Sequence, residues 1–107
     1  MVVVYVDGRE RLRMERTGGV PGQVRALLAR MEADMAAGIE LDGRHIASPD
    51  ARQRGRFLLG ELLAALDRGQ VEFARTLLIC LWQCWPDLAA VHADSAAGDW
   101  SVRLEFT

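Results

Sequence analysis

The sequence predicts an α+β fold: a small, largely antiparallel sheet, built from an N-terminal hairpin plus a C-terminal strand, packed on three main helices. Three stretches carry that assignment. Val2 to Val6 is a β-branched apolar run that closes on Asp7-Gly8, the pair that a tight two-residue hairpin favours. Trp100, Val102, Leu104 and Phe106 alternate strictly with Ser101, Arg103, Glu105 and Thr107, which is the period of a half-buried strand. Between these ends, VEFARTLLICLWQCW (Val71 to Trp85) sets apolar side chains on nearly every side of a helical projection. A helix of that kind is expected to lie between other elements or across a subunit contact.

The elements follow in order. Val2 to Val6 is apolar on both faces, so its expected place is the centre of the sheet. From Arg9 to Arg16 the pattern alternates, with Glu10, Leu12, Met14 and Arg16 on one face and Arg9, Arg11, Arg13 and Glu15 on the other. This predicts a strand with three arginines aligned outward. Thr17-Gly18-Gly19 breaks it, and Pro21 suits the first turn of a helix running to about Ala37, with Val24, Leu27, Leu28, Met31 and Met35 inward and Gly38 past the end. Ile39 to Ile46 encloses a second Asp-Gly pair, Asp42-Gly43, and reads as a small hairpin.

Ser48 as N-cap, Pro49 at the first position and Asp50 against the positive end of the dipole predict the start of a second helix, which runs to about Asp67. Its apolar side is Phe57, Leu58, Leu59, Leu62, Leu63 and Leu66, while Gly55 and Gly60 permit close approach wherever they face a neighbour. The short connection at Arg68-Gly69 predicts an antiparallel hairpin with the third, central helix. That helix has one stripe of Val71, Ala74, Leu78, Leu81 and Trp85 and a second of Phe73, Leu77, Cys80 and Cys84. Pro86 ends or kinks it. Pro86 to Val91 reads as a short helical restart and Ala93 to Asp99 as a surface loop, which leaves the last strand to pair with the N-terminal hairpin.

A chain of 107 residues, half of them apolar, is expected to form a single compact domain, 1–107, with one core. The net charge of -2 gives no reason to expect general affinity for nucleic acids. All 13 basic residues are Arg, the mark of a GC-rich, bacterial coding bias, and the lack of Lys removes Schiff-base and P-loop lysine chemistry. The N-terminus lacks the basic region and length of a signal peptide, and no run reaches the roughly 18 apolar residues of a membrane span, so a cytoplasmic location is expected.

Candidate chemistry is sparse. The turn Thr17 to Gly22, between a strand and a helix, has the topology of an anion cradle, with Arg16 and Arg25 nearby, but none of the phosphate-loop spacings. His45, Ser48 and Asp50 lie close together, yet the last two have complete roles at a helix start and no nucleophile elbow is present. Cys80 and Cys84 with His45 and His92 would make a zinc set. The histidines are isolated, however, and the thiols sit in an apolar stripe, so free buried cysteines are the simpler reading and neither metal nor cofactor is expected. Arg9, Arg11 and Arg13 on a strand face, joined by Arg103, and Arg52 with Arg56 one helical turn apart, are surfaces fit for phosphates or an acidic protein.

Trp82 and Trp100 are candidate anchors for a subunit or partner contact. The favoured expectation is a small non-enzymatic protein-binding protein of adaptor or regulatory type, homodimeric, with apolar anchors at Trp82 or Trp100 and the arginines at the rim. A nucleic-acid or anion-binding module on the arginine face is the alternative, and an enzyme stands third.

Overall fold

The structure, a computed structural model, describes residues 1–15, 22–41, 43–96 and 99–107. The expected glycine-rich turn between Thr17 and Pro21, the helix start at Pro21, and Asp42 of the second Asp-Gly pair lie outside these residues. In chain order the elements are β1 (Val2–Val6), β2 (Arg9–Met14), α1 (Gly22–Ala36), β3 (Ile39–Leu41), β4 (Arg44–Ile46), α2 (Ala51–Asp67), α3 (Val71–Cys84), β5 (Leu88–Ala96) and β6 (Asp99–Phe106). Three helices with a four-stranded, mostly antiparallel sheet and a separate two-stranded sheet make this an α+β fold. The chain divides into two compact units, one holding β1, β2, β5 and β6 and the other the three helices with β3 and β4.

In the sheet unit the strand order is β2-β1-β5-β6. β1 is central, as its two apolar faces demand, and Val2 and Val4 are fully buried. Asp7 and Gly8 both take positive φ, 51° and 80°, which is the twist a two-residue hairpin turn needs. The Asp7 carboxylate then accepts hydrogen bonds from the Ser95 amide at 2.8 Å and the Ser95 hydroxyl at 2.9 Å, which hold its pKa below the ordinary 3.8. A polar group that costs little at the surface thus ties the turn to β5.

β5 corrects the expected helical restart over Pro86 to Val91 and the expected loop beginning at Ala93. Leu88–Ala96 is a nine-residue strand, parallel to β1 from Val3 opposite Ala90 to Val6 opposite Ala93. It also separates β6 from the hairpin: β6 pairs antiparallel with β5, from Ala90 opposite Glu105 to Ala96 opposite Asp99, and forms an outer edge. The Ala-rich sequence hid β5, because small residues buried at Ala90 and Ala93 give no β-branched run to recognise.

The helical unit follows the expected boundaries closely. Helix α2 begins with a capping box in which the Asp50 carboxylate accepts from the Gln53 amide at 2.8 Å and the Gln53 side chain accepts from the Asp50 amide at 3.0 Å. Asp50, and not Ser48, is therefore the N-cap, because only Asp50 has a glutamine three residues later to complete the reciprocal pair. At its end Gln70 donates to the Ala65 carbonyl at 2.8 Å and Gly69, at φ 75°, to that of Leu66 at 3.1 Å, a Schellman closure. The chain reverses there and α3 packs along α2. Leu58, Leu62, Leu77, Leu78 and Leu81 are all fully buried, so the leucine-rich middle of α3 is shielded as its two stripes require. Trp85, at φ -128° and ψ 77° and so outside helical geometry before Pro86, closes that helix.

Candidate protein-docking surfaces

A groove in the helical unit has a volume of about 330 Å³. Its floor is Met35, Ile39 and Leu77, all buried. Its walls are Met31 of α1, Phe57 of α2 and Phe73 of α3, and its polar lining consists of two exposed carboxylates, Asp34 and Glu61. Among the described residues no basic side chain lines it. The chain reaches β3 through Gly38, whose φ of 122° an L side chain rarely adopts and whose missing Cβ leaves room for the His45 ring. Sequence periodicity placed Phe73 in the buried second stripe of α3, but Phe73 is 44% exposed while Leu77, one turn on, is covered. The first turn of α3 therefore leaves its apolar face open, and only the exposure of Phe73 reveals the groove.

On the sheet unit the expected arginine row is broken. Opposite β1, the pairing shifts between Val4, which faces Leu12, and Tyr5, which faces Glu10, so Arg11 is the extra residue of a β-bulge. A one-residue shift moves side chains to the other face. Arg13 and Glu10 now share the face of Val3 and Tyr5, where the Arg13 Nε donates to Glu10 at 2.9 Å, whereas Arg9 stands opposite Val6 on the other face. Arg103 lies opposite His92 and 3.5 Å from Glu105, the same carboxylate that lies 3.3 Å from the His92 imidazole. Tyr5 stacks on that imidazole, ring centres 4.9 Å apart. A shallow polar hollow of about 160 Å³, lined by Tyr5, His92, Asp94, Ser101 and Arg103 among others, lies on this face. Its Arg103 is matched by Glu105 and shares the hollow with Asp94, so the described residues offer no unbroken positive stripe for a phosphate backbone.

The other candidates are placed apart. Trp82 is only 7% exposed, so its indole is part of the core and not an outward anchor. Arg52 and Arg56 are exposed on α2. Within the helical unit His45 lies 3.3 Å from Glu40, and the Asp50 carboxylate is engaged by Gln53, so the sequence neighbours His45, Ser48 and Asp50 do not form a charge-relay arrangement. Cys80 is buried and Cys84 half-buried, both free, and burial pushes the Cys80 thiol up to about 11 and raises that of Cys84. Among the described residues no group of three or more His, Cys, Asp and Glu is placed to hold a metal ion, and no helix is long and apolar enough to cross a membrane.

Trp100 keeps its candidacy. On β6 its side chain is 36% exposed, with Val102 at 38% and Phe106 at 53%, although these residues share a face with Val91 and Ala93 of β5, which are buried. An apolar stripe thus runs along the outermost strand of the sheet. Comparison with family models, with curated proteins and with solved structures returned no match.

Proposed function

We propose that this chain is a non-enzymatic protein-binding module of adaptor or regulatory type, acting as a homodimer, whose groove between α1, α2 and α3 receives a partner segment that is apolar and positively charged. The single observation that carries this reading is the groove itself: a concave apolar floor and aromatic walls, with carboxylates as its only charged lining among the described residues. Its volume falls in the range of specific ligand sites. Burial of aliphatic or aromatic side chains on Met31, Phe57 and Phe73 supplies affinity, and a Lys or Arg beside Asp34 and Glu61 fixes orientation and partner choice.

Peptide-display selection on the purified chain tests this. Enriched peptides are expected to combine large apolar residues with Lys or Arg, and the enrichment is expected to disappear for Glu61→Lys and for Phe73→Ala, both at exposed positions. Enrichment of acidic peptides, or selection unchanged by both substitutions, overturns the groove as the binding site.

A further inference from the structure

We propose that two copies of this chain join through β6, edge to edge and antiparallel, across a two-fold axis at Leu104, so that Arg103 of each copy lies opposite the partner's Glu105. This rests on the homodimeric state proposed above and supplies its interface.

The first ground is the contrast between the two edges of the sheet. An edge strand is a template for pairing with another chain, and proteins blunt such edges with bulges, charges and short strands. β2 is blunted in this way: it is six residues long, bulged at Arg11, and carries Arg9, Arg11 and Arg13. β6 is less protected: its charges, Arg103 and Glu105, are of opposite sign, it is eight residues long, its pairing with β5 is unbroken from Glu105 to Asp99, and no further strand lies beyond it among the described residues. Trp100, Val102 and Phe106 stand exposed along it. A regular strand with an open apolar stripe is the edge left free to pair.

The second ground is self-complementarity. A two-fold axis normal to the sheet keeps each side chain on its own face, so the strands can be centred only on a residue facing its own copy. Centring on Arg103 or on Glu105 sets like charges in direct opposition, which destabilises a pair of strands. Centring on Leu104 removes that repulsion. It sets Arg103 opposite the partner's Glu105 twice, Leu104 against its own copy, and Val102 opposite the partner's Phe106, a β-branched and aromatic pairing. The carboxylate that lies 3.5 Å from Arg103 within the chain then stands between two guanidinium groups. Because this contact is isologous it closes on itself, and the protected β2 edges end the eight-stranded sheet at both sides.

Light scattering with size-exclusion chromatography tests the interface, with circular dichroism confirming that each variant is folded. The wild-type chain is expected at twice 11.9 kDa at micromolar concentration. Arg103→Glu and Glu105→Arg each create two like-charge pairs and are expected to weaken the dimer by about tenfold or more, whereas the double exchange restores it. A dimer indifferent to all three variants places the contact elsewhere, which overturns the β6 interface and leaves the homodimeric reading standing. A monomer at all concentrations up to millimolar overturns both, including the case in which β6 accepts a strand of a different protein.

Discussion

Gly55 and Gly60 occupy the same helix and present opposite cases. A Cβ built at Gly55 would lie 2.2 Å from the Trp85 indole, whereas none of the neighbouring atoms comes within 4 Å of one at Gly60. Helix propensity alone favours alanine at both positions. Packing reverses the sign at the first: Gly55→Ala is expected to cost about 1–3 kcal/mol through overpacking against a rigid ring. Gly60→Ala is expected to gain about 0.4–1 kcal/mol by reducing unfolded-chain entropy. Urea denaturation of the two variants decides this, and equal effects would show that the Trp85 ring yields.

Cys80 supplies a pH dependence at the same scale. Its folded-state value of about 11 lies above the ordinary 9.0, so the folded chain holds the thiol proton more tightly than the unfolded chain. The stabilisation is therefore complete below pH 9 and is lost as the pH rises toward 11. Cys80→Ala is expected to lower stability at neutral pH and to flatten its decline across that alkaline window, measured by denaturation at several pH values. A decline of unchanged steepness would assign the loss to other groups.

At the level of elements, the start of α2 separates two neighbouring residues that sequence rules treat alike. Asp50 exchanges hydrogen bonds with Gln53. Ser48 lies outside the helix. Asp50→Ala is expected to cost about 1 kcal/mol, the usual worth of an N-cap, while Ser48→Ala changes thermal stability little. A larger loss at Ser48 would place the cap where the S-P-D pattern suggested. The sheet teaches a related lesson. Strict alternation over Arg9 to Arg16 predicted three arginines on one face, but one inserted residue at Arg11 rotates the pattern, and the bulge has no signature in the residues themselves. The two-sided apolar pattern of α3 was readable because a long helix repeats its evidence every turn. β5 was unreadable because Ala89, Ala90, Ala93 and Ala96 mark neither period strongly.

For the whole molecule, the net charge of -2 and the pairing of Arg13 with Glu10 and Arg103 with Glu105 argue against a nucleic-acid surface. Fluorescence anisotropy with a labelled oligonucleotide is expected to show no saturable, salt-sensitive binding. Binding that weakens steeply with salt and disappears when Arg9, Arg11 and Arg13 are all replaced by Ala would restore that alternative.

The sequence by itself determined the α+β class, the central position of β1, the hairpin at Asp7-Gly8, the three helices and the strand at the C-terminus. Each of these rests on local periodicity or turn chemistry, which neighbouring residues decide among themselves. Tertiary structure alone decided that β5 joins β1 in parallel, that β6 becomes an edge, that Trp82 is covered and Phe73 is not, and that Met31, Phe57 and Phe73 line one groove. Those outcomes depend on which distant strands share hydrogen bonds and which side chains find a neighbour. Such contacts bring together residues that no local pattern in the chain connects.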